Sequence, residues 1–163
     1  MEKNNKKAIF ASGCFWGTQY YFSKAKGVVS ARAGYIGGQL KNPTYEQVST
    51  GKTGHVEAVE VEYDPKITNY ENLAKLFFET HDPTQKNGQG PDIGSQYLSK
   101  IFYGNQEEKE IAERLIKILK DKGMDISTKI EKAGEFFPAE GYHQNYYDKK
   151  GEFPYCHIYR KLF

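Results

Sequence analysis

The sequence predicts an α+β fold, a ferredoxin-like α/β plait with a mostly antiparallel sheet and an irregular C-terminal tail. Up to residue 103, the segments follow the order strand, helix, strand, strand, helix, strand, which is the split βαβ order of that fold. Glycines at positions 13, 27 and 37 fall where these segments end. The chain has 163 residues, enough to bury the core of one domain, so we expect residues 1–163 to form a single domain.

Hydrophobic patterning and turn residues identify the elements in order. They are a buried strand at 7–13, a helix at 15–27, strands at 28–38 and 55–63, a helix from 68, a strand at 96–103, a helix at 105–123 and a further strand within 125–140. Lys24, Lys26 and Gly27 are typical of the last turn and cap of the first helix. Thr68 with Glu71 three residues later predicts a capping box at the start of the second.

Two polar segments, 38–54 and 81–97, are too long to be plain connectors. Long loops in compact domains are often functional. The tail after residue 140 is rich in tyrosine and gives no clear periodicity. We therefore expect functional residues in the two loops.

Composition argues against several classes of protein. Charged residues are 27% of the chain and the net charge is +2, which favours neither a nucleic-acid nor a membrane partner. No apolar run approaches the ~18 residues of a membrane span. The four histidines do not pair with Cys14 or Cys156 at zinc-like spacing, so no metal and no cofactor are expected. Two cysteines in a chain of this length do not form a disulfide scaffold.

The N-terminal segment has a basic start and a short apolar run before a cysteine, which loosely resembles a lipoprotein signal. The apolar run covers only residues 8–11, and a signal needs about 7–15 residues. We interpret the N-terminus as mature and expect a cytoplasmic protein. No exposed apolar stripe argues against a monomer.

The segment GCFWG at residues 13–17 contains the candidate nucleophile. Cys14 falls between a predicted strand and a predicted helix, where unpaired N–H groups and the helix dipole stabilise an anion. A thiol in that position tends to hold a larger thiolate fraction. Gly13 and Gly17 allow close approach of the backbone to a ligand. We favour a reactive thiol over the alternative that Cys14 is a small buried hydrophobic residue.

Phe15 and Trp16, the only tryptophan, follow the thiol directly. Two large aromatic side chains beside a sulfur indicate an apolar pocket for part of an organic substrate, and core packing is the alternative. No histidine stands in a context typical of a cysteine protease.

The candidate acid lies in the strand at 55–63. Glu57 shares one face of this strand with Val59 and Val61, whereas Glu60 and Glu62 are expected to face solvent. Burial raises the pKa of a carboxyl and would keep it protonated near neutral pH. The alternative is that Glu57 lies in water at a frayed strand end, and the residues alone leave both possibilities open.

Seven motifs then occur in order from about Ile9 to Tyr146: GCFWG, GYIGG, NPTYEQV, TGHVEAVEVEYDP, HDPTQ, QGPDIGSQY and YHQNY. Together they resemble the peptide-methionine (S)-S-oxide reductase family, the A-type methionine sulfoxide reductases. The compact fold of this family, with a central ferredoxin-like plait, agrees with the predicted order of elements. The resemblance implies thiol-dependent reduction of the S-epimer of methionine sulfoxide, protein-bound and free.

The resemblance also implies roles for the residues of GCFWG. Cys14 matches the nucleophile that attacks the sulfoxide sulfur and becomes a sulfenic acid. Phe15 and Trp16 match the pocket that holds the S-methyl group of the substrate.

The remaining matches concern the sulfoxide oxygen. Glu57 matches the residue that protonates or hydrogen-bonds this oxygen, which is a poor leaving group unless protonated. Tyr45 and Tyr97 match the tyrosines around it. Asp92 matches a residue that orients the substrate.

Cys156 is the only second thiol, and its place in the tail is similar to that of the family's recycling cysteine. Its context, PYCHIYRKLF, lacks the glycine-rich run that often surrounds that cysteine. A Cys14–Cys156 disulfide reduced by thioredoxin and direct recycling by an external thiol, with a structural Cys156, both remain open. The expected partners are thioredoxin or another thiol reductant, with oxidised proteins and free methionine sulfoxide as substrates.

Two other functions also remain open. A peroxide-reducing thiol enzyme would be indifferent to Trp16. A non-catalytic domain would bind methionine sulfoxide or an apolar peptide without forming a sulfenic acid.

Overall fold

The computed structural model describes residues 4–154 and 157–163, and a six-stranded sheet runs through them. The strands are β1 (Lys6–Ser12), β2 (Val28–Ile36), β3 (Val56–Tyr63), β4 (Gly88–Gln89), β5 (Asp92–Ile93), β6 (Ser99–Tyr103), β7 (Lys129–Lys132) and β8 (Phe137–Pro138). The helices are α1 (Phe15–Ser23), α2 (Tyr45–Ser49), α3 (Tyr70–Glu79), α4 (Gln106–Asp121) and α5 (Tyr146–Lys150), with 3-10 turns at Ser95–Tyr97 and Gly141–His143. No helix in the described part of the chain is long and apolar enough to cross a bilayer.

The order of strands in the large sheet is β7-β6-β1-β3-β2-β8. Neighbouring strands are antiparallel except β6 and β7, which are parallel, so the predicted mixed α/β fold with a mostly antiparallel sheet is confirmed. Phe10 of β1 pairs with Val59 of β3, and Tyr35 of β2 pairs with Glu57 of β3. In antiparallel strands the end of one lies beside the start of the next. The segment after β1 therefore meets the start of β3, where Glu57 lies.

One large apolar cluster joins the sheet to α1, α3 and α4. At its centre the ring of Phe10 stacks on Phe22 of α1 and Phe77 of α3, with centroids 5.1 Å and 5.4 Å away. Because side chains alternate along a strand, the face of β3 that carries Val59 also carries Glu57. Glu57 therefore points toward the helices.

The start of α3 differs by one residue from the prediction. Asn69 is its N-cap, and the Asn69 side chain accepts a 2.8 Å hydrogen bond from the Asn72 N–H. Thr68 belongs to the preceding turn, since its N–H donates to the carbonyl of Asp64. The predicted capping box at Thr68 is therefore wrong.

The first helix ends earlier than its pattern predicts. Helix α1 stops at Ser23 with Lys24 as its C-cap, and successive turns lead from there to β2. Gly27 adopts φ +87° in the last of these turns, and its carbonyl accepts a 2.9 Å hydrogen bond from the N–H of Asp64. The prediction that Lys26 and Gly27 lie in the last turn and cap of the helix is wrong.

The two long loops contain short elements that place candidate residues near the start of β3. Helix α2 begins at a capping box, in which Thr44 Oγ1 accepts from the Gln47 N–H and Gln47 Oε1 accepts from the Thr44 N–H. This helix begins with Tyr45. The second loop forms the β4–β5 hairpin and a 3-10 turn, which contain Asp92 and Tyr97. The tail after residue 140, predicted irregular, is ordered in part, since it forms the 3-10 turn Gly141–His143 and helix α5.

Candidate active site

Cys14 is the N-cap residue of α1 and is buried, with 7% of its surface exposed. Its carbonyl accepts hydrogen bonds from the N–H groups of Gly17 and Thr18 in the first turn of the helix. Gly13 makes the turn from β1 with φ +91°, and a Cβ there would lie 2.4 Å from Cβ of Gln89. Only glycine adopts this positive φ readily and has no Cβ to clash with Gln89. The thiol thus lies at the start of a helix, where backbone N–H groups favour an anion.

Glu57 is buried directly behind this helix start. It is 1% exposed, and its Oε1 accepts a 3.2 Å hydrogen bond from the backbone N–H of Phe15. Burial raises the pKa of Glu57 to about 8; the Phe15 hydrogen bond opposes the rise and the charge of Asp92 adds to it. A carboxyl with this pKa is mostly protonated at neutral pH. The alternative that Glu57 lies in water at a frayed strand end is therefore wrong.

Two phenols share the space around Glu57. Burial raises the pKa of both Tyr45 and Tyr97, and the charge of Glu57 raises each of them further. The two phenols interact with each other, and the charge of Cys14 acts on Tyr45. The charge of Asp92 acts on Tyr97 as well as on Glu57. These five side chains are close enough to form one electrostatic cluster, and the two phenols stay neutral hydrogen-bond donors.

Phe15 and Trp16 differ in their surroundings. Phe15 is 1% exposed, belongs to the main apolar core and lies 5.6 Å from the ring of Tyr35. Trp16 is half-buried and stacks on Tyr146, with ring centroids 3.7 Å apart and planes 8° apart. Phe15 is therefore a core residue, whereas part of the Trp16 side chain is exposed at the surface.

The tail contributes residues to which the sequence assigned no role. Glu140 Oε1 accepts a 2.9 Å hydrogen bond from the Tyr35 hydroxyl, and its Oε2 accepts a 3.0 Å bond from the N–H of Tyr45. Burial raises the pKa of Glu140, but the hydrogen bonds it accepts outweigh burial and leave the pKa below its usual range. Its carboxylate therefore fixes the start of α2 against β2.

His143 is a second tail residue to which the sequence assigned no role, and its side chain is buried, at 2% exposed. The indole N–H of Trp16 donates a 3.0 Å hydrogen bond to Nδ1 of His143. This histidine belongs to YHQNY, one of the seven motifs that resemble the family. That resemblance was the signal in the sequence that could have identified His143 as a functional residue. Nothing local in that motif indicates that it packs beside residue 16.

The side chain of Gln144 anchors this part of the tail through hydrogen bonds. Its amide donates to the carbonyls of Ala33 and Ala139, and its Oε1 accepts from the Ala33 N–H and the Gln19 side chain. Gln19 in turn accepts a 2.8 Å hydrogen bond from the Asn145 N–H. The tail is thereby attached to both β2 and α1.

Near the end of the chain, His157 lies against the first turn of α1. His157 is 1% exposed and its Nε2 donates a 2.6 Å hydrogen bond to the carbonyl of Ser12. Its ring packs against Gly17, where a Cβ would lie 2.2 Å from Nδ1. Cys156, the predicted recycling cysteine, lies outside the described residues.

The structure thus brings the predicted residues to one end of the sheet, around the start of α1. The predicted residues it describes are Cys14, Phe15, Trp16, Tyr45, Glu57, Asp92 and Tyr97. Within the ranges 4–154 and 157–163, no group of three or more His, Cys, Asp or Glu side chains could hold a metal ion. The arrangement places a thiol at a helix start beside a protonated carboxyl and two neutral phenols.

Comparisons with known proteins show which family the chain resembles. The family model described as "Peptide methionine sulfoxide reductase" matches residues 6–163. A protein of Methanococcus maripaludis strain C5, named peptide methionine sulfoxide reductase MsrA, is 50% identical over 148 residues, which are 90% of this chain and 94% of the relative.

Solved structures give the same result. Reduced Mxr1 from Saccharomyces cerevisiae aligns with a TM-score of 0.88 at 35% identity, over 96% of this chain and 92% of Mxr1. Mxr1 in complex with Trx2 aligns with a TM-score of 0.63 at 26% identity, over 96% of this chain and 90% of Mxr1. Because the family model and a relative at 50% identity both extend over nearly all of it, the chain belongs to the peptide methionine sulfoxide reductase family.

Proposed function

We propose that this chain reduces the S-epimer of methionine sulfoxide, in proteins and as the free amino acid, with Cys14 as the nucleophile and Glu57 as the acid. The observation that supports these roles best is the 3.2 Å hydrogen bond from the Phe15 N–H to Glu57 Oε1. It ties a protonated carboxyl to the residue that follows the thiol. Thiol-dependent sulfoxide reduction is the activity of the family; the roles of the individual residues are our proposal.

The oxygen transfer needs both groups. The Cys14 thiolate attacks the sulfoxide sulfur while Glu57 delivers its proton to the oxygen, which turns a poor leaving group into a good one. The S–S bond formed by this attack and the substrate S–O bond then both break as the oxygen, with its proton, moves to the Cys14 sulfur, which leaves a sulfenic acid on Cys14 and releases methionine. The substrate sulfur is reduced by the electron pair that the Cys14 sulfur loses.

Tyr45 and Tyr97 donate hydrogen bonds to the same oxygen in this proposal. Their raised pKa values keep both phenols protonated, so each remains a donor throughout the reaction. Donors held around an oxygen that gains charge stabilise the transition state. Asp92, whose charge acts on Glu57 and Tyr97, orients the substrate beside them.

The methyl group of the substrate packs against Trp16 in this proposal, with Phe15 beneath it. Trp16 is the half-exposed aromatic residue beside the thiol, and Phe15 supports it from the core. An apolar surface next to the reacting sulfur favours a small alkyl substituent there.

Recycling requires a second thiol, which condenses with the sulfenic acid to a disulfide and releases water. We assign this step to Cys156, with thioredoxin then reducing the disulfide by exchange. Two observations support the assignment. His157, the next residue in the sequence, packs against Gly17 in the first turn of α1, and Mxr1 was solved in complex with Trx2. Because thioredoxin works in reducing compartments, we propose that the reaction takes place in the cytoplasm.

We also assign residues 1–163 to one domain with a ferredoxin-like plait. The strand order β6-β1-β3-β2 with antiparallel pairing supports this, as do the connections through α1 and α3. In this topology α1 follows β1 directly and starts at the edge where β3 begins.

A single-turnover experiment tests the proposal. Cys156→Ser is mixed with each epimer of methionine sulfoxide without reductant, and the protein is analysed by mass spectrometry. We expect one oxygen atom added at Cys14, methionine formed in equal amount, and reaction with the S-epimer alone. Cys14→Ser is the control and should form neither product. Methionine formed while Cys14 stays unmodified would overturn the assigned nucleophile.

The recycling step has its own test. Cys156→Ser should keep its single turnover but lose continuous turnover with thioredoxin. Full continuous turnover of this variant would show that an external thiol reduces Cys14 directly.

A further inference from the structure

His143 lies in the middle of the aromatic side chains beside the thiol. Its ring centroid is 5.2 Å from that of Phe15, 5.7 Å from Trp16, 4.5 Å from Tyr45 and 4.1 Å from Tyr142. It is 2% exposed. The contacts reach both α1 and α2, so a change at this ring affects the pocket from two sides.

The hydrogen bond from Trp16 determines the protonation state of His143. An indole N–H can only donate, so Nδ1 of His143 must accept and can hold no proton. The neutral ring then has its proton on Nε2, for which the described residues offer no acceptor. Burial lowers the pKa of His143, the opposing charge of Glu140 is outweighed, and the neutral ring is therefore favoured.

Stacking and hydrogen bonding restrict Trp16 in different ways. The stack on Tyr146 fixes the plane of the indole, but stacked rings can still rotate or slide within that plane. The hydrogen bond to Nδ1 fixes the direction of the indole within the plane. His143 is itself held, since its N–H donates to the carbonyl of Glu140 and the next residue, Gln144, is bonded to β2.

We propose that His143 is a positioning residue that orients the indole of Trp16 through Nδ1 and so determines which alkyl group on sulfur the pocket accepts. This inference rests on the proposed function, in which Trp16 contacts the substrate methyl group. It adds a residue that acts on substrate choice without contacting the reacting atoms. Loss of the acceptor at Nδ1 frees the indole to move, so the pocket discriminates less between methyl and larger alkyl groups.

Two substitutions separate the acceptor from the rest of the ring. His143→Asn places an amide oxygen where Nδ1 stands and retains the acceptor. His143→Gln places its amide near Nε2 and loses the acceptor. A single hydrogen bond contributes about 1 kcal/mol, so we expect His143→Gln to lower the preference for methionine sulfoxide over its S-ethyl homologue about fivefold, through KM more than through kcat.

His143→Asn should restore the wild-type preference to within about twofold. Equal losses in the Asn and Gln variants would overturn the proposal, since both remove the ring and only one removes the acceptor. The proposal would also be overturned if His143→Gln lowered kcat equally for both substrates and left the methyl-over-ethyl preference unchanged.

Trp16→Phe provides the matched background, because it keeps an aromatic ring and removes the N–H. In that background His143→Gln should leave the methyl-over-ethyl preference unchanged, as expected for two residues that act through one contact. A further loss of similar size in the double variant would overturn the proposal.

A spectroscopic measurement on the wild-type protein avoids any dependence on folding of the variants. Trp16 is the only tryptophan in the chain, so the indole N–H band in ultraviolet resonance Raman spectra reports this residue alone. We expect the position of a hydrogen-bonded indole; the position of a free N–H would overturn the proposal. This readout needs no activity, so a wild-type protein that fails to reduce methionine sulfoxide would refute the proposed function and leave the Trp16–His143 contact testable.

Discussion

The backbone N–H of Phe15 donates a 3.2 Å hydrogen bond to Oε1 of Glu57, which joins the first residue of α1 to a carboxyl buried in β3. The two residues are 42 positions apart, and the antiparallel pairing of β1 with β3 brings them together. The bond holds this carboxyl beside Cys14, the residue before Phe15. Because the bond needs only an acceptor oxygen, it survives when the carboxyl is protonated.

Glu57→Gln should lower kcat for methionine sulfoxide about 10²–10³-fold, because an amide cannot deliver a proton while general acids contribute roughly this much. The amide oxygen can still accept from Phe15, so the fold is retained. Glu62→Gln is the matched control, since Glu62 lies on the same strand but on the opposite face and is partly exposed. It should leave kcat unchanged to within about twofold. Similar losses in both variants would contradict the assignment of Glu57 as the acid.

The single-turnover rate should fall as pH rises through about 8, the pKa to which burial raises Glu57. In the proposed function the enzyme is active with Glu57 protonated, so the rate is constant below this pKa and falls above it. Stopped-flow measurements between pH 6 and pH 10 would locate this limb. Glu57→Gln should lack it. A falling limb that persists at the same pH in this variant would assign the titration to another group.

The raised pKa of Glu57 also predicts how stability depends on pH. The unfolded chain ionises above the ordinary value of 4.5, whereas the folded chain stays protonated until about 8, so folding loses stability across that window. By pH 7 the loss amounts to roughly 3 kcal/mol, at about 1.4 kcal/mol per pH unit. Urea unfolding at pH 5 and pH 8 should show that Glu57→Gln gains stability relative to wild type as pH rises. Parallel pH profiles of the two proteins would contradict this prediction.

Tyr45→Phe and Tyr97→Phe should each lower kcat about fivefold to twentyfold, as expected when one hydrogen bond to the reacting oxygen is lost. The double variant should lose less than the product of the two, because the phenols interact with each other and, in the proposed function, donate to the same oxygen. Tyr103→Phe, in β6, is the control and should keep the wild-type kcat. Strict multiplication of the two effects would mean that the phenols act independently.

Gly17→Ala should destabilise the protein by about 1–3 kcal/mol, because the added Cβ would lie 2.2 Å from Nδ1 of His157. Alanine normally favours a helix interior by about 0.5–1 kcal/mol over glycine. In a His157→Ala background the same substitution should therefore become stabilising. Gly141→Ala serves as the control, since a Cβ added there would meet no atom within 4 Å. Thermal unfolding measures the change in stability of each variant. If Gly17→Ala destabilised the wild type and the His157→Ala variant by the same amount, the packing of His157 on Gly17 would be contradicted.

The sequence by itself determined the order of the elements and the candidate residues around Cys14. Alternation along 55–63 placed Glu57 on the apolar face, and the glycines around Cys14 placed the thiol between a strand and a helix. Both inferences depend on local backbone geometry, and the pattern of residues over a few positions of the sequence is enough to predict it. The family motifs added Tyr45 and Tyr97 from loops in which periodicity gives no signal.

Only the tertiary structure decided how far these residues are buried and what holds them. The carboxyl of Glu57 has its raised pKa because the whole core excludes water from it. His143 contacts Trp16 across 127 positions of the chain, and His157 reaches Ser12 across 145. Contacts over such separations depend on how the tail packs on α1 and β2, which no local sequence pattern specifies.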